Sequence, residues 1–322
     1  MRDRFIVAIA VLAATSAFCP SARAACTASK IDLPVTMQGR SALVHTQIDG
    51  VDETFVVDSG AFYSTITPAT VDALHLPKLP MPDGMRIDGL GGLAFGNYIT
   101  TVPNLTIAGQ VVHGIEFLVS PGLGGRAGLF GQNILGLKDV EYDLKGGMVR
   151  LVTPEGDCAH TVLAFWVRDR NYSVASIDSR EGFRDHTVGD AFVNGAKVRV
   201  LFDTGAPITL LSRKAALDAG VKLDGPDVKP NSIVRGIDGN PVKSWSAPVA
   251  DFKLGGEEIR NTRLIVADFD PVANEADMIL GADFFLAHHV YVANSQFKIY
   301  FTYNGGPIFD DRRTDSDAKG PE

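Results

Sequence analysis

Cysteine and excess positive charge are scarce in this 322-residue chain, and several familiar catalytic signatures are missing. Acidic residues outnumber basic ones by 38 to 30, which disfavours nucleic acid as a partner, because such binding is dominated by neutralising phosphates. No stretch reaches the 18 or so apolar residues that a membrane span requires. A His-Glu-x-x-His motif is absent. The adjacent His288 and His289 lack a third ligand at metal spacing, so they read as a surface feature beside a strand, and neither metal nor other cofactor is expected. There is no Gly-x-Ser-x-Gly elbow, and neither Cys26 nor Cys158 has the motif context of a nucleophile. Serine, cysteine and metal-dependent hydrolysis are thereby set aside.

What is present is an ordinary globular composition, 45% hydrophobic and 21% charged, long enough for two domains with a core each. Glycine and proline are spread along the chain rather than bunched, the mark of many short strands joined by turns. Arg2 and Arg4 precede an apolar run over residues 5–18, and Ala22-Arg23-Ala24 forms a small-x-small cleavage site. Residues 1–24 therefore read as a secretory signal peptide, and the mature protein is expected in the periplasm or outside the cell. Cleavage removes three basic residues and one acid, which takes the net charge from -8 to about -10. Cys19 leaves with the signal, and Cys26 and Cys158 remain. An oxidising compartment would allow these two to pair; two unpaired thiols is the other reading.

The chain repeats itself. Residues 41–76 lie over residues 186–221 without a gap, at an offset of 145 that puts Gly50 on Gly195, Asp58 on Asp203, Gly60 on Gly205 and Ala61 on Ala206. Each copy reads as an alternating strand, a Gly turn, then an apolar strand, Phe55-Val56-Val57 or Val200-Leu201-Phe202, that runs straight into an acidic loop. A helix start follows, with Pro68 at the first position after Thr67 in one copy and Ser212 as cap in the other; Gly220 stops the second helix. The likeness resumes downstream, Gly131 over Gly281 and Val140 over Val290. Between the blocks stand two Gly-punctuated hairpins, Gly89-Leu90-Gly91-Gly92 and Gly236-Ile237-Asp238-Gly239. The expectation is two copies of one mostly-β domain, residues 27–158 and 159–304, before a polar, disordered tail over 305–322. Trp166, Phe284 and Phe285 are assigned to the core rather than to a substrate pocket.

A lone Asp-Thr-Gly after a strand is an ordinary turn. Two of them, Asp58-Ser59-Gly60 and Asp203-Thr204-Gly205, stand at equivalent places in a duplicated domain, and an approximate two-fold axis between the lobes would bring them face to face. Two carboxylates about 3 Å apart cannot both ionise easily and share a proton, as in the aspartic-protease dyad. One then acts as general base towards water while the protonated partner polarises a carbonyl. Gly60 and Gly205 let the backbone turn tightly beside the carboxylates, and the hydroxyls of Ser59 and Thr204 can tie each loop to the other. An Asp-x-Asp phosphatase is excluded, since position 205 is Gly.

The stretches "FVVDSGAFYSTIT" and "VLFDTGAPITLLS" resemble the signature of the bacterial retropepsin-like aspartic peptidases, here duplicated as in the bilobal pepsins. Leu129-Phe130-Gly131 and Ile279-Leu280-Gly281 match the apolar-apolar-Gly element that supports each catalytic loop in that family. The resemblance implies two β-barrel lobes with short helices about a pseudo-two-fold axis. It also implies an endopeptidase acting through Asp58 and Asp203 on peptide or protein substrates, as a monomer. It makes each Gly-rich hairpin a flap, with Gly91, Gly92, Gly239 and one of Tyr98 or Trp245 as candidate flap residues. Ala61 and Ala206 stand where pepsins carry a hydroxyl residue, so the dyad should titrate above the pepsin pair at about 1.5 and 4.7, with an optimum of roughly pH 4 to 6.5. The alternative reading is a non-catalytic peptide-binding or inhibitory module on the same fold.

Overall fold

The computed structural model describes residues 25–81, 87–89, 92–94, 98–121, 125–169, 171–179, 186–236, 239–272 and 276–309. The expected signal peptide, residues 1–24, lies outside them.

Both halves wind into a closed six-stranded barrel. In the first, the order is Ser41–Ile48, Val51–Val57, Gly128–Phe130, Thr65–Ile66, Gln110–Val119 and Tyr98–Ile107, which closes back on Ser41–Ile48. The second runs Val188–Val193, Ala196–Phe202, Met278–Leu280, Leu210–Ser212, Glu257–Ala267 and Ser244–Leu254, closing on Val188–Val193. The two orders correspond strand for strand. Local sequence explains the first hairpin of each: Asp49 and Gly50 (φ 48° and 85°), and Asn194 and Gly195 (φ 48° and 78°), make two-residue turns with both residues left-handed, the twist that a tight hairpin needs. Thr67 caps the helix Pro68–Ala73 through the Thr70 N–H, and Ser212 caps Arg213–Asp218 through the Ala215 N–H, as their residue types predict.

A third sheet joins the lobes. Its order is Ser173–Ser176, Lys298–Tyr303, His288–Ala293, Asp139–Asp143, Met148–Glu155 and Thr27–Gln38, three strands from each half. At the seam Val140 opposes Val292, Glu141 opposes Tyr291 and Tyr142 opposes Val290. With Val140 the repeat counterpart of Val290, Glu141 pairs with its own counterpart Tyr291, so the pseudo-two-fold axis passes between these two residues. Glu141 is buried there among Arg150 (2.9 Å), His289 (2.9 Å) and Lys30 (3.7 Å).

The structure corrects the placement of the paired histidines. His288 is fully buried, its ring between the Phe284 carbonyl (2.8 Å) and the Glu257 carboxylate (3.0 Å), and His289 stacks on Trp166 at 4.2 Å while bonding Glu141. Both lie on a strand of the seam sheet, where His288 is buried within the second half, against Phe284, Phe301 and Glu257, and His289 against Glu141 of the first half and Trp166 of the linker, in place of the expected solvent. Phe284 and Phe285 are core, as assigned. Cys26 and Cys158 form a disulfide that ties the strand Thr27–Gln38 to the linker between the lobes. The packed chain continues past the expected boundary at 304: Ile308 and Phe309 lie against the core, Phe309 edge-on to Phe252, and residues 310–322 are outside the described set.

Candidate active site

Asp58 and Asp203 each leave the end of an inner barrel strand. The Asp58 N–H donates to the Phe130 carbonyl and the Asp203 N–H to the Leu280 carbonyl, both at 3.0 Å, so the short strand added by the downstream repeat block fixes where each loop begins. Within each loop the carboxylate folds back on its own backbone. Asp58 Oδ1 accepts the N–H groups of Gly60 and Ala61, both at 3.0 Å; Asp203 Oδ1 accepts those of Gly205 at 2.8 Å and Ala206 at 3.0 Å.

The loops are then locked to one another by four crossed hydrogen bonds. Ser59 N–H donates to Thr204 Oγ1 and Thr204 N–H to Ser59 Oγ, each at 3.0 Å. The Ser59 hydroxyl donates to the Phe202 carbonyl at 2.8 Å and the Thr204 hydroxyl to the Val57 carbonyl at 2.7 Å. Both side chains are buried, so each bond is made where water cannot replace it. The glycines are required by approach: a Cβ on Gly60 would stand 2.2 Å from Asp203 Cγ, and one on Gly205 would stand 2.3 Å from Asp58 Cγ. Each loop's glycine therefore faces the other loop's carboxyl.

Behind the loops, Gly131 and Gly281 seat the helices Gln132–Leu135 and Ala282–Ala287. A Cβ on Gly131 would meet the Ala61 carbonyl at 2.8 Å, and one on Gly281 would meet the Ala206 carbonyl at 2.8 Å. The Gln132 N–H reaches Ala61 O (2.9 Å) and the Ala282 N–H reaches Ala206 O (2.7 Å). This is the physical content of the apolar-apolar-Gly element: backbone presses on backbone, and no side chain fits between.

Both carboxyls titrate high. Asp58 is raised well above the usual carboxylate range by burial, then by the charge of Asp203 and a hydrogen bond with it. Asp203 is raised by burial, against the pull of the Ala206 N–H, the bond with Asp58 and the Gly205 and Gly60 N–H groups. Each keeps partial access to solvent. Two buried acids in hydrogen-bond contact hold one proton between them over a wide pH range, and their titrations belong to the pair.

Several supporting residues carry no motif of their own and escape a sequence reading. Gln132, buried beside Gly131, donates from Nε2 to the Ser59 carbonyl (2.6 Å) and to Thr187 Oγ1 (3.4 Å), crossing from one lobe to the other. Ser64 and Asn133 in the first lobe, and Thr209 and Asp283 in the second, form buried bonds behind each loop. Arg40 donates to the Pro207 carbonyl at 3.4 Å, and at the other end of the site His186 lies against the Phe62 ring, centroids 6.0 Å apart. Their spacing from the aligned glycines and aspartates was the available signal.

The two Gly-punctuated segments form separate small ribbons: Ile87–Gly89 pairs with Gly92–Ala94, and Val234–Arg235 with Pro241–Val242. Gly91 lies outside the described residues, and Gly239 turns with φ 72°. Tyr98 opposes Val119 and Trp245 opposes Val266, while Val119 and Val266 flank Ile66 and Leu211, themselves repeat counterparts. Tyr98 and Trp245 thus occupy equivalent places in the two lobes, a correspondence hidden from the sequence because the intervening segments differ in length.

Among the described residues no group of three His, Cys, Asp or Glu side chains could hold a metal ion, and no helix is long and apolar enough to cross a membrane. Comparison with curated proteins yields no match. Family models do match: residues 44–136 match the family described as "gag-polyprotein putative aspartyl protease", and residues 190–284 match the family "Aspartyl protease". Together they cover more than half of the chain, one on each barrel and each including its Asp loop. With a protease domain of this type in each of two barrels, the chain belongs to the retropepsin-like aspartyl proteases as a duplicated member.

Proposed function

We propose that the protein is an aspartic endopeptidase whose single active site is completed by its own two lobes. The observation that carries this reading is the reciprocal approach of Gly60 to the Asp203 carboxyl and of Gly205 to the Asp58 carboxyl, locked by the four bonds of Ser59 and Thr204. In the singly protonated pair, the ionised carboxylate takes a proton from a water held between the two. The water oxygen bonds to the peptide carbonyl carbon, and the protonated carboxyl gives its hydrogen to the carbonyl oxygen. The tetrahedral diol collapses when the carboxyl that took the water's proton gives it to the amide nitrogen, the other carboxylate takes a proton from a diol hydroxyl, and the C–N bond breaks, which leaves one proton on the pair as before. Neither a metal nor a covalent intermediate is needed.

The ribbons near Tyr98 and Trp245 are proposed as flaps over the cleft, and the site of action is proposed to be the periplasm or the exterior, on the strength of residues 1–24. The test is incubation of the mature protein with a mixed peptide library, with and without pepstatin, read by mass spectrometry. Pepstatin-sensitive cleavage that is indifferent to a metal chelator is expected; no cleavage between pH 3 and 7 would overturn the reading.

A further inference from the structure

We propose that Asp283 is a positioning residue that makes the seat of the second Asp loop, and not that of the first, respond to protonation. The two seats are built alike but from different chemistry. In the first lobe Asn133 Oδ1 accepts both the N–H and the hydroxyl of Ser64, each at 2.7 Å, and its Nδ2 donates to the Glu116 carbonyl at 3.2 Å. The Ser64 hydroxyl oxygen in turn accepts the Gly131 N–H at 2.9 Å. In the second lobe a carboxyl stands in the place of that amide. Asp283 accepts the Thr209 N–H (3.0 Å), the Thr209 hydroxyl (2.6 Å) and the Phe284 N–H (2.9 Å), and Thr209 Oγ1 accepts the Gly281 N–H at 3.0 Å.

An amide does not titrate in the working range; a carboxyl does. A proton on Asp283 cannot be accepted by the N–H groups of Thr209 or Phe284, which leaves Thr209 Oγ1. The Thr209 hydroxyl must therefore turn each time Asp283 gains or loses its proton, and that oxygen holds the Gly281 N–H. Gly281 has no slack: a Cβ there would already sit 2.6 Å from the Ile208 carbonyl and 2.8 Å from that of Ala206, whose N–H holds Asp203 Oδ1. The relay runs Asp283, Thr209, Gly281, Ala206, Asp203.

Asp283 is buried, and the opposite charge facing it comes from Arg40 of the first half; its other partners, Thr209 and the backbone of Phe284, are neutral. Burial lifts its carboxyl to about 6, against the pull of the Thr209 and Phe284 bonds and of Arg40. The bonds that Asp283 accepts from Thr209 and Phe284 are those of the ionised carboxylate, so the seat is intact with Asp283 ionised and gives way as it takes up its proton. The consequence for turnover rests on the peptidase reading above: the rate falls on the acid side through kcat more than through KM, because the second loop loses its position.

The test uses the mature protein labelled with 15N-glycine, which reads Gly131 and Gly281 side by side. In the parent, the Gly281 amide shift should inflect near pH 6 while Gly131 stays flat over the same range. Asp283→Asn, which keeps an acceptor oxygen as Asn133 does, should abolish the inflection; Asn133→Asp should create one at Gly131. In kcat/KM profiles Asp283→Asn should carry the acid limb about one unit downward, up to about tenfold in rate on the falling side. A flat Gly281 amide between pH 4.5 and 7.5 in the parent would overturn the proposal, and so would an inflection that survives in Asp283→Asn. Absence of peptide cleavage in the parent would count against the peptidase reading alone, since the amide titrations decide the seat without turnover.

Discussion

The first and second Asp loops reach one geometry from sequences that agree at few positions. What they share is concentrated at the axis and its immediate support: the carboxyls, the glycines facing them, the hydroxyls of Ser59 and Thr204, and the alanines Ala61 and Ala206 whose N–H groups hold the carboxylates. Just beyond, they diverge. Phe62 and Tyr63 are partly exposed, with Tyr63 donating to Glu116 at 3.0 Å; their counterparts Pro207 and Ile208 are an exposed ring and a buried core residue. Asn133 answers Asp283, and Glu141 answers Tyr291. Symmetry is kept at the dyad, and lost both where each half faces its own surroundings and, at Glu141 and Tyr291, in the seam itself. The first half also carries the staple Cys26–Cys158, which the second half lacks.

The comparison predicts equality at the dyad, and its failure there would have the largest effect. Asp58→Asn and Asp203→Asn should each lower kcat by at least about a hundredfold with an unchanged circular dichroism spectrum, since general acid and base roles are worth 10²–10⁴ each. A single variant that keeps more than a few per cent of activity would show that the loops do not form one site. Next come the glycines. Gly60→Ala and Gly205→Ala should be about equally inactivating, because the added carbon meets the opposite carboxyl at 2.2 and 2.3 Å. Parent-like turnover in either variant would mean that the loops stand further apart in solution.

The staple sharpens the contrast between the halves. Cys158→Ser should lower the unfolding free energy by about 2–4 kcal/mol, the usual range for losing a bridge that closes a long loop. Urea titration with and without reductant is the measurement, and a parent that is insensitive to reductant would contradict it. Smaller still, Ser59→Ala and Thr204→Ala should cost about 1–3 kcal/mol each, since each leaves a buried N–H and a carbonyl without a partner. Exchanging the hydroxyl residues, Ser59→Thr with Thr204→Ser, should be nearly neutral in the same denaturation assay.

The last comparison is between acid and neutral pH. Asp58, Asp203 and Asp283 are raised in the fold, so their stabilisation is complete below their ordinary value of 3.8 and is lost as pH rises through the folded values, about 6 for Asp283. Glu141 has the opposite sign. Burial pushes it up, but the bond from His289 and the charges of Arg150 and Lys30 bring it below its ordinary 4.5, so its contribution is lost as pH falls through the folded value. Stability should therefore peak near about pH 4, between the two ordinary values, and fall from there towards pH 6. Introducing Ala61→Ser and Ala206→Ser together should move the kcat/KM profile towards acid by a fraction of a unit, as a hydroxyl donor favours the charged form. A shift towards alkali would point to another controlling group.

The sequence by itself determined the duplication, the strand-to-loop placement of Asp58 and Asp203, the hairpin turns at Gly50 and Gly195, and the helix caps Thr67 and Ser212. These rest on local rules: periodicity, the left-handed backbone that favours glycine, and the hydroxyl that satisfies an open N–H. Only the tertiary structure decided that Cys26 meets Cys158, that His288 and His289 are enclosed in the seam rather than exposed, and that Tyr98 and Trp245 correspond. It alone showed Gln132 crossing between lobes and Asp283 replacing Asn133. The reason is common to all of them: each depends on contacts between segments far apart in the chain, and no local propensity records which distant backbone or side chain will arrive to satisfy a buried polar group.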